Sequence, residues 1–405
     1  MKKLPPASWR EREGLAALLD ALGAREGLTR IVGGAVRDTL LRLDVADIDC
    51  ATSLPPEEAQ DRITAAGFKA VPTGIAHGTV TAVIPGGPVE VTTLRRDVST
   101  DGRRATVAFT DDWREDAARR DFTINALSAD PVTGEIYDYF GGTSDLEAGL
   151  VRFIGDPLIR IAEDHLRILR FFRFHARFGR GEPDPAGLAA CAQRANDLMA
   201  LSRERIADEM LKLLTTPDPA PTVNLMLAHR ILEPVLPEIE GAGAARLDRL
   251  MALETQLGVA PDPLRRLAAL LPASEKIAED IGVRLKLSKA AQRRLALAAH
   301  PDPAPANPLP LAYNIGREGA IDRLLLRSAD PDAIAERYRL LADWKKPVLP
   351  LKGGDLITRG LRAGPVVAGT LQAVERQWIE EGFPDAARVG VIADEKVAQA
   401  LRSSR

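Results

Sequence analysis

The strongest constraint on the fold is a change of sequence pattern near Val151. Before it, short runs rich in β-branched residues are separated by glycine and proline, which is typical of strands; these runs are Thr29–Val32, Ile48–Thr52, Thr79–Ile84 and Val89–Thr93. After it, leucine, alanine and arginine recur with a helical period. Because 405 residues are too many for one ordinary core, we expect an α+β domain followed by helical domains.

Several capping signals predict where helices begin. An Asp at the N-cap followed by Pro at the first helical position starts a helix well, and such pairs occur at Asp184-Pro185, Asp218-Pro219, Asp262-Pro263 and Asp302-Pro303. Their irregular spacing argues against a solenoid. Ser8 and Ser202 are predicted to cap two further helices. The proline-rich stretch 300–311 indicates a subdomain boundary.

Composition excludes several classes of protein. No run approaches the roughly 18 apolar residues that span a bilayer, and the N-terminal stretch 1–15 lacks the apolar segment of a signal peptide. We therefore expect a cytoplasmic protein without a membrane partner. The two cysteines, Cys50 and Cys191, form no CxxC pair, which argues against a disulfide framework or a zinc site.

The charge balance restricts how the chain can bind nucleic acid. The net charge is -3, whereas nucleic-acid binders are usually basic overall. Any RNA-binding surface must therefore be local. The stretch from Arg152 to Arg180 holds seven arginines against three acids, although a solvated helix face explains such a run equally well.

A Gly-Gly turn in the segment Arg30–Thr52 predicts a phosphate site. A short apolar strand ends at Gly33 and Gly34, and a helix follows at once. Glycines let the backbone approach a ligand closely, and a helix N-terminus offers free N–H groups and positive potential. Arg37 adds a cation beside them. An ordinary tight turn is the alternative.

Two carboxylates after this helix indicate a metal site. Asp47 and Asp49 lie at the edge of a predicted strand, where residues i and i+2 share a face. Mg²⁺ is commonly held by one or two carboxylates together with substrate phosphates. The combination favours metal-assisted phosphoryl or nucleotidyl transfer, although simple surface alternation would also produce it. Neither the Rossmann nor the Walker glycine pattern is present.

These motifs resemble a known family. GGAVRD followed by DID resembles the signature of class II tRNA nucleotidyltransferases (CCA-adding enzymes) and the related bacterial poly(A) polymerases. The similarity continues, from about residue 31 to residue 214, through GIAHGTVTAVI, EVTTLRRD, RRDFTINAL, YFGGTSDLEAGLVR, EDHLRILRFFRF and LSRERIADEML. It implies an α+β fold with a polymerase-β-like nucleotidyltransferase head at 1–143. An all-helical neck (144–215), body (216–310) and tail (311–405) would follow, with the tail binding tRNA.

The resemblance also implies roles for individual residues. Asp47 and Asp49 would be the catalytic Mg²⁺ ligands, and Glu90 a possible third carboxylate. The nucleotide-binding residues would be Gly34, Arg37, Arg120, Asp121, Asn125, Asp164, Arg167, Arg170 and Arg173.

The segment EDHLRILRFFRF suggests how a base could be read without a template. Asp164, Arg167 and Arg170 recur every three residues, which predicts one stripe of a helix, and Arg173 continues it. An accepting Asp beside a donating Arg matches the pairing edges of cytosine and adenine. Uracil and guanine present the reverse order, so buried polar groups would lose their partners. Without the upstream motifs, an ordinary amphipathic helix would explain the spacing.

The resemblance therefore predicts a CCA tRNA nucleotidyltransferase that extends tRNA from CTP and ATP by two-metal transfer, releasing pyrophosphate. The expected cofactor is Mg²⁺ and the expected partner is tRNA; no protein partner is implied. The alternatives are a poly(A) polymerase or a partial CC-adding or A-adding enzyme, distinguished by a flexible head loop within Asp97–Asp112 and by the helical domains. A catalytically silent RNA-binding module would show damaged metal ligands, which are intact here.

The helical remainder is less specific. Seven basic residues could contact an RNA backbone, with a solvated surface as the alternative: Arg265, Arg266, Arg284, Lys286, Lys289, Arg293 and Arg294. Trp344 and Trp378 are predicted to be core residues rather than stacking platforms.

Overall fold

The computed structural model describes residues 2–101, 104–328 and 333–403. The chain divides into two compact units, Met1–Pro237 and Glu238–Arg405. All described strands belong to the first unit, so the predicted α+β arrangement with a helical remainder is confirmed. The finer division into head, neck, body and tail, with boundaries after residues 143, 215 and 310, stays a prediction. Within the described ranges, no helix has both the length and the apolar character needed to cross a membrane.

A mixed sheet lies at the centre of the first unit. Its described strands are β1 (Thr29–Val32), β2 (Ile48–Thr52), β3 (Lys69–Gly74), β4 (Thr79–Ile84) and β5 (Gly87–Thr93), with β8 (Ser128–Ala129) and β9 (Ile136–Tyr137). The order is β3-β4-β5-β2-β1-β8-β9. Only the β2–β5 neighbours are parallel among these described strands. The first three predicted strand runs match β1, β2 and β4, and the fourth lies within β5.

A separate hairpin follows the fifth strand. It consists of β6 (Arg95–Asp101) and β7 (Arg104–Phe109), paired antiparallel. The head loop predicted within Asp97–Asp112 is largely this hairpin, because six residue pairs hold its two strands in register. Residues 102 and 103 of that loop lie outside the described residues.

The sheet forms where the sequence alternates apolar and polar side chains. In β4, Val80, Ala82 and Ile84 are buried, whereas the residues between them are more accessible. This period of two places one face of the strand in the core. The parallel register of β2 and β5 sets Asp49 directly beside Glu90.

Helices and short 3₁₀ turns cover this sheet and extend the first unit. The helices are α1 (Leu15–Ala21), α2 (Gly34–Leu40), α3 (Pro56–Ala65), α4 (Trp113–Ala118), α5 (Gly142–Ala148), α6 (Pro157–Glu163), α7 (Arg167–Phe178), α8 (Pro185–Gln193), α9 (Arg203–Leu214) and α10 (Ala220–Ala228). The helix predicted to start at Ser8 is wrong in its first turns. Ser8–Glu11 is a 3₁₀ turn, and α1 begins only at Leu15 after Gly14, whose φ is +87°.

The Asp-Pro signals have mixed outcomes. Asp184 and Asp262 cap helices as predicted, since their carboxylates accept hydrogen bonds from backbone N–H groups of the first turn. The start predicted at Asp218 is one residue too early, because Pro219 and not Asp218 occupies the N-cap of α10. No described helix begins at Asp302, since further prolines follow and each removes a backbone donor. The start predicted at Ser202 is confirmed.

The second unit is helical throughout its described part. It contains α11 (Gly241–Leu257), α12 (Pro263–Leu270), α13 (Glu275–Arg284), α14 (Lys289–Ala298), α15 (Leu309–Ile315), α16 (Arg317–Arg327), α17 (Ile334–Ala342), α18 (Gly353–Thr358), α19 (Pro365–Glu380) and α20 (Ala386–Ser403). Trp378 is buried in the cluster that includes Val374 and Val389, and Trp344 packs against the same cluster. Both tryptophans are core residues, as predicted.

A buried ion network joins four helices of this unit. Arg265 donates to Asp322 at 2.8 Å and to Glu254 at 3.0 Å, and Arg266 donates to Glu254 at 2.9 Å. Arg294 donates to Asp322 at 2.7 Å. Arg265 and Arg266 are each 3% exposed. The suggestion that these two arginines contact RNA is therefore wrong, because both are enclosed with carboxylate partners.

Both cysteines are buried free thiols in the first unit. Cys50 lies on β2 and Cys191 on α8. Burial raises the pKa of each thiol well above its ordinary value. Neither thiol is therefore suited to act as a nucleophile.

Candidate active site

A glycine turn connects β1 to α2 at the edge of a cavity. Gly33 has φ +64° and ψ −121°, a conformation that favours glycine. A Cβ atom at this position would lie 2.9 Å from Nη1 of Arg120. The predicted strand–turn–helix arrangement is therefore present, and Gly33 is needed both for the backbone and for the side chain packed against it.

Arg37 is a buried cation in α2 behind this turn. Its Nε donates to Oδ1 of Asp38 at 2.7 Å, and its Nη1 donates to Oδ1 of Asn125. The guanidinium also lies 4.3 Å from the ring centre of Phe178. Burial lowers the pKa of Arg37, while Asp38 acts in the opposite direction. Since arginine stays protonated in proteins, the site keeps a fixed positive charge here.

Three carboxylates gather at the exposed end of β2. Asp49 is paired in register with Glu90, and Asp47 lies two residues earlier in the chain. Although the side chain of Asp49 opens to solvent, the surrounding protein raises its pKa by partial desolvation. Glu90 and Asp47 raise it further, and only Arg120 acts against them. Such crowding of negative charge is relieved by a bound cation.

This acidic edge fits a divalent metal ion that substrate also ligates. The described residues contain no group of three or more His, Cys, Asp or Glu side chains arranged to hold a metal by themselves. Mg²⁺, however, usually takes only one or two protein carboxylates, together with water and phosphate oxygens. Asp47 and Asp49 supply that donor set. The role of Glu90 as a third carboxylate stays a prediction, supported by its charge interaction with Asp49.

A cavity of about 380 Å³ opens beside Asp49 and collects most of the predicted residues. Those that line it are Gly34, Arg37, Asp49, Arg120, Asp121, Asn125, Asp164, Arg167 and Arg170. Asp47, Glu90 and Arg173 do not line it. Gly33 of the predicted glycine turn also lines it, and two lining residues were not predicted as site residues: Arg119 and Phe174. Arg119 could have been found from its place as the first Arg of RRDFTINAL.

The floor of the cavity is a chain of hydrogen bonds. Asp121 accepts from Asn125 at 3.0 Å and from Nε of Arg170 at 2.7 Å. Asn125 in turn accepts from Arg37. Burial acts to raise the pKa of Asp121, but the charge of Arg170 and the hydrogen bonds outweigh it, so the pKa is lowered. These bonds fix Arg170 against the Asp121 carboxylate and connect Arg37 to it through Asn125.

Asp164 does not belong to the helical stripe on which it was predicted. It lies between α6 and α7 with φ −152° and ψ 106°, and α7 begins only at Arg167. Its carboxylate accepts from the backbone N–H of Leu166 at 3.1 Å, a local bond that competes with helix formation. The other oxygen accepts from Arg205 at 2.7 Å. The carboxylate still borders the cavity.

Arg167 is held by backbone carbonyls rather than by Asp164. Its guanidinium donates to the carbonyl oxygens of Arg160 at 2.8 Å and of Arg119 at 3.2 Å, and it also contacts Glu163. Arg160 donates to the carbonyls of Arg119 and Arg120. These bonds join α6 and α7 to the segment that carries Arg119 and Arg120. A rigid Arg167 beside Asp164 can therefore present donors to a base.

Arg173 points to a different partner from the one predicted. Its Nε donates to Oε2 of Glu209, which is 3% exposed, and Nη1 of Arg170 lies 3.6 Å from the same carboxylate. Arg173 therefore pairs α7 with α9 outside the cavity lining. A nucleotide-binding role for Arg173 stays a prediction.

The charge of the cavity suits a polyphosphate. Its lining contains the five arginines Arg37, Arg119, Arg120, Arg167 and Arg170, against the acids Asp49, Asp121 and Asp164. Fixed arginines stabilise phosphate oxygens and the charge that develops when a phosphoryl bond breaks. With the acidic edge of β2 at one side, this geometry can support nucleotidyl transfer.

Two family models match the first unit and its boundary. The Poly A polymerase head domain matches residues 29–152, and the probable RNA and SrmB-binding site of polymerase A matches residues 182–242. These segments contain the acidic edge of β2, the glycine turn and the start of the helical region.

Curated proteins and a solved structure are similar over nearly the whole chain. CCA tRNA nucleotidyltransferase 1, mitochondrial, of Mus musculus is 34% identical over 397 residues, with 92% of this chain and 87% of the relative covered. The CCA-adding enzyme of Limosilactobacillus fermentum is 33% identical over 362 residues, covering 86% and 88%. The crystal structure of the Bacillus stearothermophilus CCA-adding enzyme in complex with CTP matches with a TM-score of 0.69 at 26% identity, covering 98% and 100%. The chain therefore belongs to the class II family of CCA-adding tRNA nucleotidyltransferases and poly(A) polymerases.

Proposed function

We propose that this protein is a CCA tRNA nucleotidyltransferase, which adds CCA to the 3′ end of tRNA from CTP and ATP without a nucleic-acid template. One observation carries the proposal. A single cavity joins Asp49 of the acidic edge, a wall of arginines and the neighbours Asp164 and Arg167. Relatives that cover most of the chain carry this activity in their names.

The residues divide the work of the transfer between them. Arg37 and Arg120, with the backbone at Gly34, would hold the triphosphate, because they lie on the same side of the cavity as the glycine turn. Enzymes of this family generally use divalent metal ions. Mg²⁺ bound to Asp47 and Asp49 would make the RNA 3′-hydroxyl more acidic and neutralise charge on the departing pyrophosphate. Positioning and charge stabilisation then account for most of the catalysis.

The choice of nucleotide would depend on Asp164 and Arg167. The Asp164 carboxylate accepts from the exocyclic amino group of cytosine or adenine, and Arg167 donates to a ring acceptor. Arg205 holds the carboxylate, and the carbonyls of Arg160 and Arg119 hold the guanidinium. Because both groups are fixed before the nucleotide enters, uracil and guanine would leave donors and acceptors mismatched.

The test is to extend three tRNAs, ending at the discriminator base, at C and at CC, with Mg²⁺ and with CTP and ATP singly and together. Completion of each to CCA followed by a stop supports the proposal. Extension of only some substrates would identify a CC-adding or A-adding enzyme, and long adenosine tails a poly(A) polymerase. In the same assay Arg167→Ala should accept UTP and GTP more readily than the parent protein. Unchanged selectivity would contradict base reading by Arg167.

Three further attributes belong to the same proposal. The chain would divide into a head (1–143), a neck (144–215), a body (216–310) and a tail (311–405). The head would catalyse transfer, the neck would recognise the nucleotide base, and the tail would bind tRNA. Mg²⁺ would be the metal, which is tested by comparing Mg²⁺ with Ca²⁺, a larger ion of looser geometry. The cytoplasmic location stays a prediction.

A further inference from the structure

A second arginine-lined cavity lies within the second unit. It has a volume of about 450 Å³ and opens between α11 and the end of α16. The polar residues in its lining are Arg246, Arg249, Gln256, Arg327 and Ser328, and none of its lining residues is acidic. This composition sets it apart from the buried ion network of the same unit, where carboxylates accompany every arginine.

Within the described residues 2–101, 104–328 and 333–403, Arg327 has no carboxylate partner at this cavity. Its Nε and Nη2 atoms are fully enclosed, and neither has a hydrogen-bond partner among the described residues. The charges that act on it come from Arg246 and Arg323, and both have the same sign as its own. Burial, together with these like charges, lowers the pKa of Arg327. An arginine in this position is stabilised when an anion binds to it.

The neighbouring arginines are also held by neutral backbone groups and not by carboxylates. Arg246 donates to the carbonyl oxygens of Ala269 at 2.9 Å and of Leu271 at 2.7 Å, at the end of α12. Arg323 donates to a neutral backbone carbonyl at 2.9 Å. More distant acids act weakly on Arg246 and Arg323, but within the described part of the chain neither arginine forms an ion pair. Among the described side chains, the positive charge of the cluster therefore has no carboxylate in ion-pair contact.

The cost of enclosing arginine charge differs between this cavity and the buried ion network. There, Arg265 and Arg266 lie within 3.0 Å of carboxylate oxygens. Enclosing a charge is costly unless a partner of opposite sign is enclosed with it. The described lining of the cavity at Arg327 has cations but no carboxylate. The planar guanidinium fork, with several parallel N–H groups, matches the oxygens of a phosphate group.

We propose that Arg246, Arg249 and Arg327 form a phosphate-binding site in the second unit, and that it takes a phosphate of an RNA backbone. Arg327 and Arg249 contact the phosphate oxygens, whereas Arg246, anchored to the end of α12, adds charge. The assignment to RNA rests on the proposed function. Free inorganic phosphate has the same chemistry, so the experiment distinguishes the two sources.

The RNA arm measures tRNA binding without CTP or ATP over a series of salt concentrations. Arg327→Gln and Arg249→Gln should each weaken binding at low salt about tenfold. Each should also reduce the slope of log Kd against log salt by about 0.7–0.9, as expected for one lost phosphate contact. Lys276→Gln is the control, because Lys276 is an exposed cation of the second unit that pairs with Asp280 and lies outside the predicted tRNA-binding tail. It should change neither quantity.

The phosphate arm measures thermal unfolding of the same proteins in inorganic phosphate and in chloride at equal ionic strength. Stabilisation by phosphate that is lost in Arg327→Gln, with RNA binding unchanged, would assign the site to free phosphate. Arg249 is exposed, so its substitution tests the site even if Arg327→Gln does not fold. If both variants match Lys276→Gln in both arms, the site does not exist.

The outcome is separable from the proposed function. Transfer of CCA is measured on the same proteins with nucleotides present. A protein that transfers CCA normally can still fail both binding arms, and a protein that transfers nothing can still pass them.

Discussion

Two nitrogen atoms of Arg170 lie 2.7 Å and 2.6 Å from one carboxylate oxygen of Asp121. Asp121 belongs to the segment after α4, and Arg170 belongs to α7, so this ion pair joins the part of the chain that carries the glycine turn to the helix that carries Arg167. Asp121 is buried. Removal of one partner therefore leaves a charge enclosed without compensation.

We predict that Asp121→Asn lowers the free energy of unfolding by about 3 kcal/mol, because breaking a buried pair costs about 3–5 kcal/mol and Arg170 retains some solvent and a second carboxylate nearby. Chemical denaturation at neutral pH measures the change. Arg170→Gln should cost a similar amount, and the double variant less than the sum of the two. Strict additivity would show that the two residues do not act as a pair.

The same pair makes stability depend on pH in a defined direction. The pKa of Asp121 is lowered in the folded protein, so its stabilisation is present above the unfolded-state pKa of about 3.9 and is lost as pH falls through the folded value. The difference in unfolding free energy between the parent protein and Asp121→Asn should be constant from pH 6 to 8 and should shrink below about pH 4. A difference that grows in acid would have the wrong sign.

We predict that Asp49→Asn abolishes nucleotidyl transfer without lowering the melting temperature. The carboxylate is crowded by Glu90 and Asp47, which raise its pKa, so neutralising it removes repulsion in the absence of metal. Transfer assays and thermal unfolding in a metal chelator measure the two effects. Asp61→Asn is the control, since Asp61 is an exposed carboxylate on α3. Retained transfer in Asp49→Asn would contradict its role as a metal ligand.

The strands and the glycine turn could be predicted because they are encoded locally. Alternation of β-branched residues gave the bounds of β1, β2 and β4, and the turn followed from two adjacent glycines. Asp164 was misplaced because its side chain bonds to the backbone N–H of Leu166 and Asp164 lies before α7, although its spacing to Arg167 and Arg170 matches a helical stripe. No local pattern reveals that bond.

Tertiary partners account for the other errors. The sequence does not show that Arg265 pairs with Asp322, because the two residues are 57 positions apart. Arg265 was therefore a candidate for RNA binding. The sequence likewise does not show the contact of Arg173 with Glu209, 36 residues away, although the nucleotide-binding role of Arg173 stays a prediction. Charge alone cannot show whether an arginine faces solvent or a buried carboxylate. Of the seven arginines from Arg152 to Arg180, six lie within 4.0 Å of a carboxylate of the first unit, and two of these line the cavity.

We predict that Gly33→Ala both destabilises the protein and weakens nucleotide binding. Its backbone conformation costs an L-residue about 1–3 kcal/mol, and its Cβ atom would displace Arg120. Gly67→Ala separates the two effects, because Gly67 has φ +84° but nothing within 4 Å of its Cβ position. Denaturation should show a loss in both variants, whereas CTP binding by calorimetry should weaken in Gly33→Ala only. Equal nucleotide affinity in the two variants would contradict the role of Arg120.

We predict that Arg160→Lys raises KM for CTP and ATP about tenfold with a smaller effect on kcat. Lysine keeps the charge but has one nitrogen, whereas Arg160 uses Nη2 for two carbonyls and Nη1 for Glu163. Arg160 is 8% exposed and donates to the carbonyls of Arg119 and Arg120. Steady-state kinetics measure the split. The control is Arg62→Lys on an exposed i,i+4 pair with Glu58. A uniform loss of folded protein, with normal KM in the remainder, would indicate a structural role alone.

Enclosure of the two thiols gives this protein a built-in chemical reporter. Cys50 follows Asp49 directly on β2, and Cys191 lies on α8, so both sulfur atoms belong to the first unit, and the sequence of the second unit contains no cysteine. A thiol-specific alkylating reagent should therefore modify the protein only when the first unit opens. Mass spectrometry of pulse-labelled peptides would time the opening around β2 separately from that around α8, and melting of the second unit would leave the label unchanged.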